Sequence, residues 1–126
     1  MFSRRRPDNL GVHDGRLAPC KPTPNCVSSQ ADPADATHYI APLAGTMAEV
    51  RSALKRTPRA RIITDEPNYL YAEFRTRLMR YVDDVEFYFD GQVVHVRSSS
   101  RVGRHDFGTN RRRIESLRRI VDTLRL

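Results

Sequence analysis

The sequence predicts an α+β domain: an antiparallel four-stranded meander with a short helix before it, an amphipathic helix after it, and an irregular N-terminal segment. Three observations carry this expectation. Within residues 61–97, apolar side chains alternate with polar ones in short runs separated by turn residues, which is strand periodicity. Met47, Val50 and Leu54, and later Ile114, Leu117, Val121 and Leu124, recur at the three- and four-residue spacing of a helix face. The order helix, strands, helix leaves the helices to cover one face of an antiparallel sheet.

The chain has 126 residues, enough for one domain and too few for two. Charged residues make up 29% and apolar ones 39%, a balance that predicts a folded chain rather than a disordered one. Residues 1–10 are expected to be a mobile tail and residues 11–126 the domain. No apolar run approaches the roughly 18–20 residues of a membrane span. The start, MFSRRRPDNLGV, is basic but has no apolar stretch behind it, so no secretory leader is recognised and a cytoplasmic location is expected.

Residues 1–45 hold six of the eight prolines and no sustained periodicity, so they should wrap the domain as extended chain. Cys20 and Cys26 lie there, in APCKPTPNCVSS. Their five-residue spacing is not a zinc pattern. Pro19, Pro22 and Pro24 stiffen the loop between them, so a disulfide is plausible in an oxidising compartment and two thiols in a reducing one. No metal motif and no cofactor fingerprint is present.

Thr46-Met47-Ala48-Glu49 has the spacing of a capping box and opens the first helix, which Pro58 stops. Strands are expected over Arg61–Asp65, Tyr69–Arg75, Asp84–Phe89 and Gln92–Arg97, with Glu66-Pro67-Asn68-Tyr69 as a turn. Asp90-Gly91 reads as a two-residue hairpin loop. That register sets Phe87 against Val94, Val85 against Val96, Asp84 against Arg97 and Glu86 against His95. Leu70, Ala72, Phe74, Val85, Phe87 and Phe89 then share the core face. Tyr69, Tyr71, Glu73, Asp84, Glu86, Tyr88, His95 and Arg97 share a face too polar for a core, which makes it a candidate floor for a site. The final helix runs from about Asn110 to Leu124.

The net charge of +7 is concentrated at the end of the chain, where Arg97–Leu126 carries nine Arg against three acids. Arg111-Arg112-Arg113 opens the last helix. A helix start already bears partial positive charge, so three cations there oppose the dipole unless something negative lies near. Asp83, Asp84, Glu86 or Asp106 could supply it internally. A bound anion could supply it from outside, held by helix N–H groups, Asn110, the hydroxyls of Ser98 and Ser100, and the guanidinium groups of Arg97, Arg101, Arg111 and Arg113.

Two functions compete with such binding. A small hydrolase-like enzyme would use Asp83, Asp84 or Glu86, with His95 or His105 as a general base or the Ser98–Ser100 run as nucleophile. A nucleic-acid module would use the Arg cluster against phosphates, but no aromatic residues interleave with it. The preferred reading is a non-catalytic binding or accessory protein. Its partner would be a small anionic ligand, a lipid head group or an acidic protein. The distinction is structural: an enzyme needs carboxylates converging in a pocket without Arg partners, whereas a binding or structural role leaves each carboxylate paired.

Three blocks carry a family resemblance: LGVHDGRLAPCKPTPNCVSSQA, YVDDVEFYFD and VRSSSRVGRHDFGTNRRRIESLR. In this order they resemble the DUF1499 family of uncharacterised proteins. The resemblance places family motif residues at Asn25, Cys26, Val27, Ser28 and Ser29, at Asp83, Asp84 and Glu86, and through much of Arg97–Glu115. His105 is outside the motif. Members often look exported or membrane-anchored, so the resemblance implies a periplasmic or membrane-associated alternative to the cytoplasm.

Overall fold

A computed structural model describes residues 5–78 and 81–125. In chain order the elements are β1 (Cys26–Ser28), α1 (Met47–Lys55), β2 (Ala60–Glu66), β3 (Tyr69–Arg75), β4 (Val82–Phe89), β5 (Val94–Ser100) and α2 (Thr109–Leu124). The strands form one antiparallel sheet in the order β1-β5-β4-β3-β2. Both helices bury their apolar stripes against one face. Val50, Leu54, Ile114, Leu117 and Val121 meet Leu70, Ala72, Val85, Phe87, Val94 and Val96 there, all at most 2% exposed.

Local rules account for most element ends. Thr46 Oγ1 accepts the Glu49 N–H at 3.1 Å, and Glu49 accepts the Thr46 N–H at 2.8 Å, so the capping box is complete. Gly45, just before it, leaves room for the second helix: a Cβ there would stand 2.4 Å from Val121 Cγ1.

Two expectations are corrected. The sheet has five strands rather than four, because Cys26–Ser28 pairs with β5 at the sheet edge, Cys26 opposite Ser99 and Ser28 opposite Arg97. Three residues are too few to show a period, so only the partner edge reveals this strand. The β4–β5 loop is also longer than two residues. Phe89 pairs with Val94 and Phe87 with Val96, leaving Asp90–Val93 as the loop. Asp90 Oδ1 accepts the N–H groups of Gln92 at 2.9 Å and Val93 at 3.0 Å, and these bonds close the wider turn. Glu86 consequently faces Arg97, and Asp84 faces Ser99. A two-residue slip leaves every side chain on its expected face, so the core survives while the charge pairing changes. Strand β5 also runs on through Ser98–Ser100 instead of ending at Arg97.

The N-terminal segment is tied down at several points. Cys20 and Cys26 are joined by a disulfide with Cα atoms 5.6 Å apart. Ser29 N–H donates to the Val96 carbonyl at 2.9 Å, and Leu43 exchanges two backbone bonds with Val94 at 2.9 Å each. Residues 5–11 cross the sheet face opposite the helices, where the Arg6 Nε reaches Glu73 at 2.9 Å and the Gly11 N–H reaches Glu86 at 2.7 Å. No helix of the described residues is long and apolar enough to cross a membrane.

Candidate functional site

Strand alternation sends Tyr69, Tyr71 and Glu73 of β3, Asp84 and Glu86 of β4, and Arg97 and Ser99 of β5 to the face away from the helices. This face is polar yet buried: Glu86 is 0%, Asp84 1% and Arg97 5% exposed. Burial at this level requires partners. Arg101, just past β5, grips Asp84 with two bonds of 2.9 and 2.8 Å and reaches Glu73 at 2.7 Å. The Tyr71 hydroxyl donates to Asp84 at 2.5 Å, and the Tyr69 hydroxyl to Glu86 at 2.6 Å. Burial and these carboxylates push both phenols well above their usual range, so they remain donors.

Arg97 is less well served. Its Nη1 stands 3.6 Å from Glu86 Oε1, beyond hydrogen-bond distance, and its Nη2 makes a 3.4 Å bond to the Pro19 carbonyl. Arg97 Nε and Glu86 Oε1 are buried with no hydrogen-bond partner among the described residues. Burial pulls the Arg97 guanidinium below its ordinary range, against the pull of Glu86 and Asp84. A cavity of about 390 Å³ opens beside it. Arg5, Arg6, Lys21, Arg97 and Arg101 line that cavity against two carboxylates, Asp8 and Asp84, and Ser99 lies among them. The Lys21 ammonium donates to the Ser100 carbonyl at 2.9 Å. Burial, then the neighbouring Arg97, lowers its pKa.

The other side of the same segment is a closed network. Ser98 Oγ donates to Asn110 Oδ1 at 2.7 Å, and Asn110 Nδ2 donates to Ser100 Oγ and to Asp106, each at 2.8 Å. Arg113 donates to Asn110 at 2.7 Å and to Asp83 at 2.6 Å, and its guanidinium stacks on Phe74 at 4.9 Å. Burial raises the Asp83 carboxyl above the usual carboxylate range, with Arg113 acting in the opposite direction. Asn25, fully buried, holds the next loop by donating to the Gly103 carbonyl at 2.8 Å.

Asp106 supplies negative charge at the start of α2, accepting the N–H groups of Gly108 at 2.9 Å and Asn110 at 3.0 Å. Arg112 turns back to the Phe107 carbonyl at 2.6 Å, and Arg111 reaches the Ala36 and Thr37 carbonyls at 3.4 and 3.3 Å. Each guanidinium of the triple-Arg run therefore ends on an acceptor of the chain itself.

A family model described as a protein of unknown function (DUF1499) matches residues 16–121. The chain belongs to the DUF1499 family. No curated protein matches it significantly. In this DUF1499 chain the Arg97–Arg113 segment divides by strand parity. Arg97, Ser99 and Arg101 join the polar face, whereas Ser98, Ser100, Asn110, Arg113, Asp83 and Asp106 join the network beneath α2. Lys21 escaped the sequence reading, whereas Ser99 belongs to the Ser98–Ser100 hydroxyl run that it offered. The alternation that selects Arg97 also selects Ser99 once β5 is extended to Ser100, but no local signal brings Lys21 across the fold.

The carboxylates and His95 considered for catalysis in the DUF1499 chain are already engaged. Asp83 and Asp84 bond to Arg113 and Arg101, and Glu86 faces Arg97. His95 bridges Asp90 and Ser29 at 3.0 Å each. Ser29 Oγ meanwhile accepts the Val96 N–H at 2.8 Å, so it extends the β1–β5 pairing in place of a carbonyl. His105 is exposed. Among the described residues no group of three or more His, Cys, Asp or Glu side chains is placed to hold a metal ion.

Proposed function

We propose that the chain is a non-catalytic binding protein whose polar sheet face holds a small oxyanion, a carboxylate or a phosphate group, among Lys21, Arg97, Ser99 and Arg101. The observation carrying this reading is Arg97, whose buried Nε has no acceptor among the described residues and whose side chain lines a cavity with four other cationic ones. A guanidinium donor removed from water and left unpaired costs free energy, and an oxyanion in that cavity would remove the cost. Lys21 would add a point charge and Ser99 a hydroxyl donor. Arg101, fixed on Asp84 and Glu73, would contribute mainly through its field. The arrangement suits recognition rather than turnover, because Asp84 and Glu86 already face cations.

Titration of the protein with inorganic phosphate and with acetate, followed by calorimetry or amide chemical shifts, tests the reading. Lys21→Ala and Arg97→Gln should each weaken binding roughly tenfold or more, the scale of one charge-assisted hydrogen bond. Lys21 titrates below its ordinary range, so affinity should fall as the pH rises into that lowered transition and Lys21 loses its charge. Equal affinities for the unaltered protein and a folded Lys21→Ala variant would sink the proposal.

A further inference from the structure

We infer that a second and larger cavity, separate from the oxyanion pocket, binds a single-chain amphiphile with an anionic head. The groove is about 970 Å³, near the top of the roughly 300–1,000 Å³ range of small-molecule sites. It lies between the end of α1, residues 76–78 and Tyr81 after β3, the loop before α2, and α2 itself. Phe74, Tyr81, Leu117 and Ile120 give it apolar walls. Nothing in a polar anion would match those walls, whereas a hydrocarbon chain would displace water from them.

The rim is cationic and unusually apolar together. Leu78 and Phe107 line the groove at 88% and 89% exposure, and they are the exposed large hydrophobic residues of the described chain. Arg56, Arg59, Arg75 and Arg77 also line it, all are exposed, and none has a salt-bridge partner among the described residues. The two carboxylates of the lining do not neutralise them. Asp83 is bonded to Arg113, and Asp106 is bonded to the start of α2. Four unpaired guanidinium groups around an apolar opening are complementary to an anionic head on an apolar tail.

Backbone strain concentrates on the same rim. Three described non-glycine residues have positive φ, and two of them are Arg59 at 64° and Phe107 at 54°. A bulky aromatic in the left-handed region is strained, and one turned to solvent leaves apolar surface that a partner would cover. A concave site with side walls, rather than a flat patch, points to one chain entering it and not to the plane of a bilayer.

The test uses the full chain and palmitate below its micellar concentration, with displacement of a fluorescent fatty acid as readout. Saturable binding at one per chain is expected. It should weaken about fourfold for each methylene lost between the sixteen- and twelve-carbon acids, the worth of one buried methylene. Hexadecanol and hexadecyltrimethylammonium should bind more weakly than palmitate. The surface variant carrying Arg59→Glu and Arg77→Glu should remain folded and lose roughly tenfold or more in palmitate affinity. Ile120→Trp, which fills the groove, should block binding. Absence of palmitate binding overturns the inference, as does binding that ignores both chain length and head charge. Binding to phosphatidylglycerol vesicles without binding to monomeric palmitate also overturns it, because that result assigns the rim to a membrane surface.

Discussion

At Arg113 the penalty for a cation near a helix start is offset by where its guanidinium ends. It reaches Asp83 at 2.6 Å and Asn110 at 2.7 Å, and stacks on Phe74, with both members of the ion pair under 10% exposed. Removing one partner of such a pair leaves an uncompensated buried charge. Arg113→Ala should therefore cost about 3–5 kcal/mol in urea unfolding, and the double change Asp83→Leu with Arg113→Met should cost less than the single one. The pH dependence follows from Asp83. Burial already raises its carboxyl, and without Arg113 that push loses its main opposition, leaving the Ser100 hydroxyl to act against it. The native state of the variant then binds protons more readily than the unfolded chain, so its stability falls as pH rises. The deficit against the unaltered protein should be largest at neutral pH and shrink in acid. A deficit independent of pH would show that Asp83 keeps its charge by another contact.

The elements were legible in the sequence wherever a rule is local. The capping box at Thr46 and Glu49, the stripe of α2 and the bounds of β3 depend on residues a few positions apart. The β4–β5 pairing was not, because the loop length depends on Asp90 turning its carboxylate onto Gln92 and Val93 instead of leaving a two-residue turn. Strand β1 has no period of its own and forms because β5 presents an open edge. At this scale the sharpest expectation concerns Asp106. Its carboxylate takes two N–H groups at the start of a helix whose first turn holds three Arg, with no acid to balance them. Asp106→Ala should destabilise by about 0.5–2 kcal/mol. Asp106→Asn, which keeps an acceptor but loses the charge, should cost a smaller part of that. Thermal unfolding at low ionic strength reads the difference, and equal losses would mean that the charge adds nothing to the hydrogen bonds.

Across the whole molecule, the irregular N-terminal segment completes the candidate site. The disulfide between Cys20 and Cys26 anchors the loop that carries Pro19 and Lys21 to the sheet. Pro19 offers its carbonyl to Arg97, and Lys21 reaches Ser100. Closing so short a loop is worth about 2 kcal/mol on the chain-entropy account. Reduction should lower the free energy of urea unfolding by that amount and weaken phosphate binding several-fold, while the helices and β2–β4 keep their amide protection. Phosphate affinity unchanged by reductant would show that Lys21 is positioned without the bridge. The two cavities also divide the basic charge of the chain by role. Arg97 and Arg101 lie on a floor of carboxylates, whereas Arg56, Arg59, Arg75 and Arg77 stand around apolar walls with no salt-bridge partner among the described residues.

The sequence by itself determined which face each strand residue takes, because alternation is a property of the strand alone and survives even a two-residue error in register. It therefore identified the polar face of Tyr69, Tyr71, Glu73, Asp84, Glu86 and Arg97, and it located the basic segment. Only the tertiary structure decided which cation meets which carboxylate. Pairing across strands and between segments depends on loop lengths and on contacts between residues far apart in the chain, and no local pattern encodes those. Arg101 on Asp84, Arg113 on Asp83, and Lys21 beside Arg97 are all of that kind. They turned one basic run in the sequence into a closed network beneath α2 and an open pocket on the opposite face of the sheet.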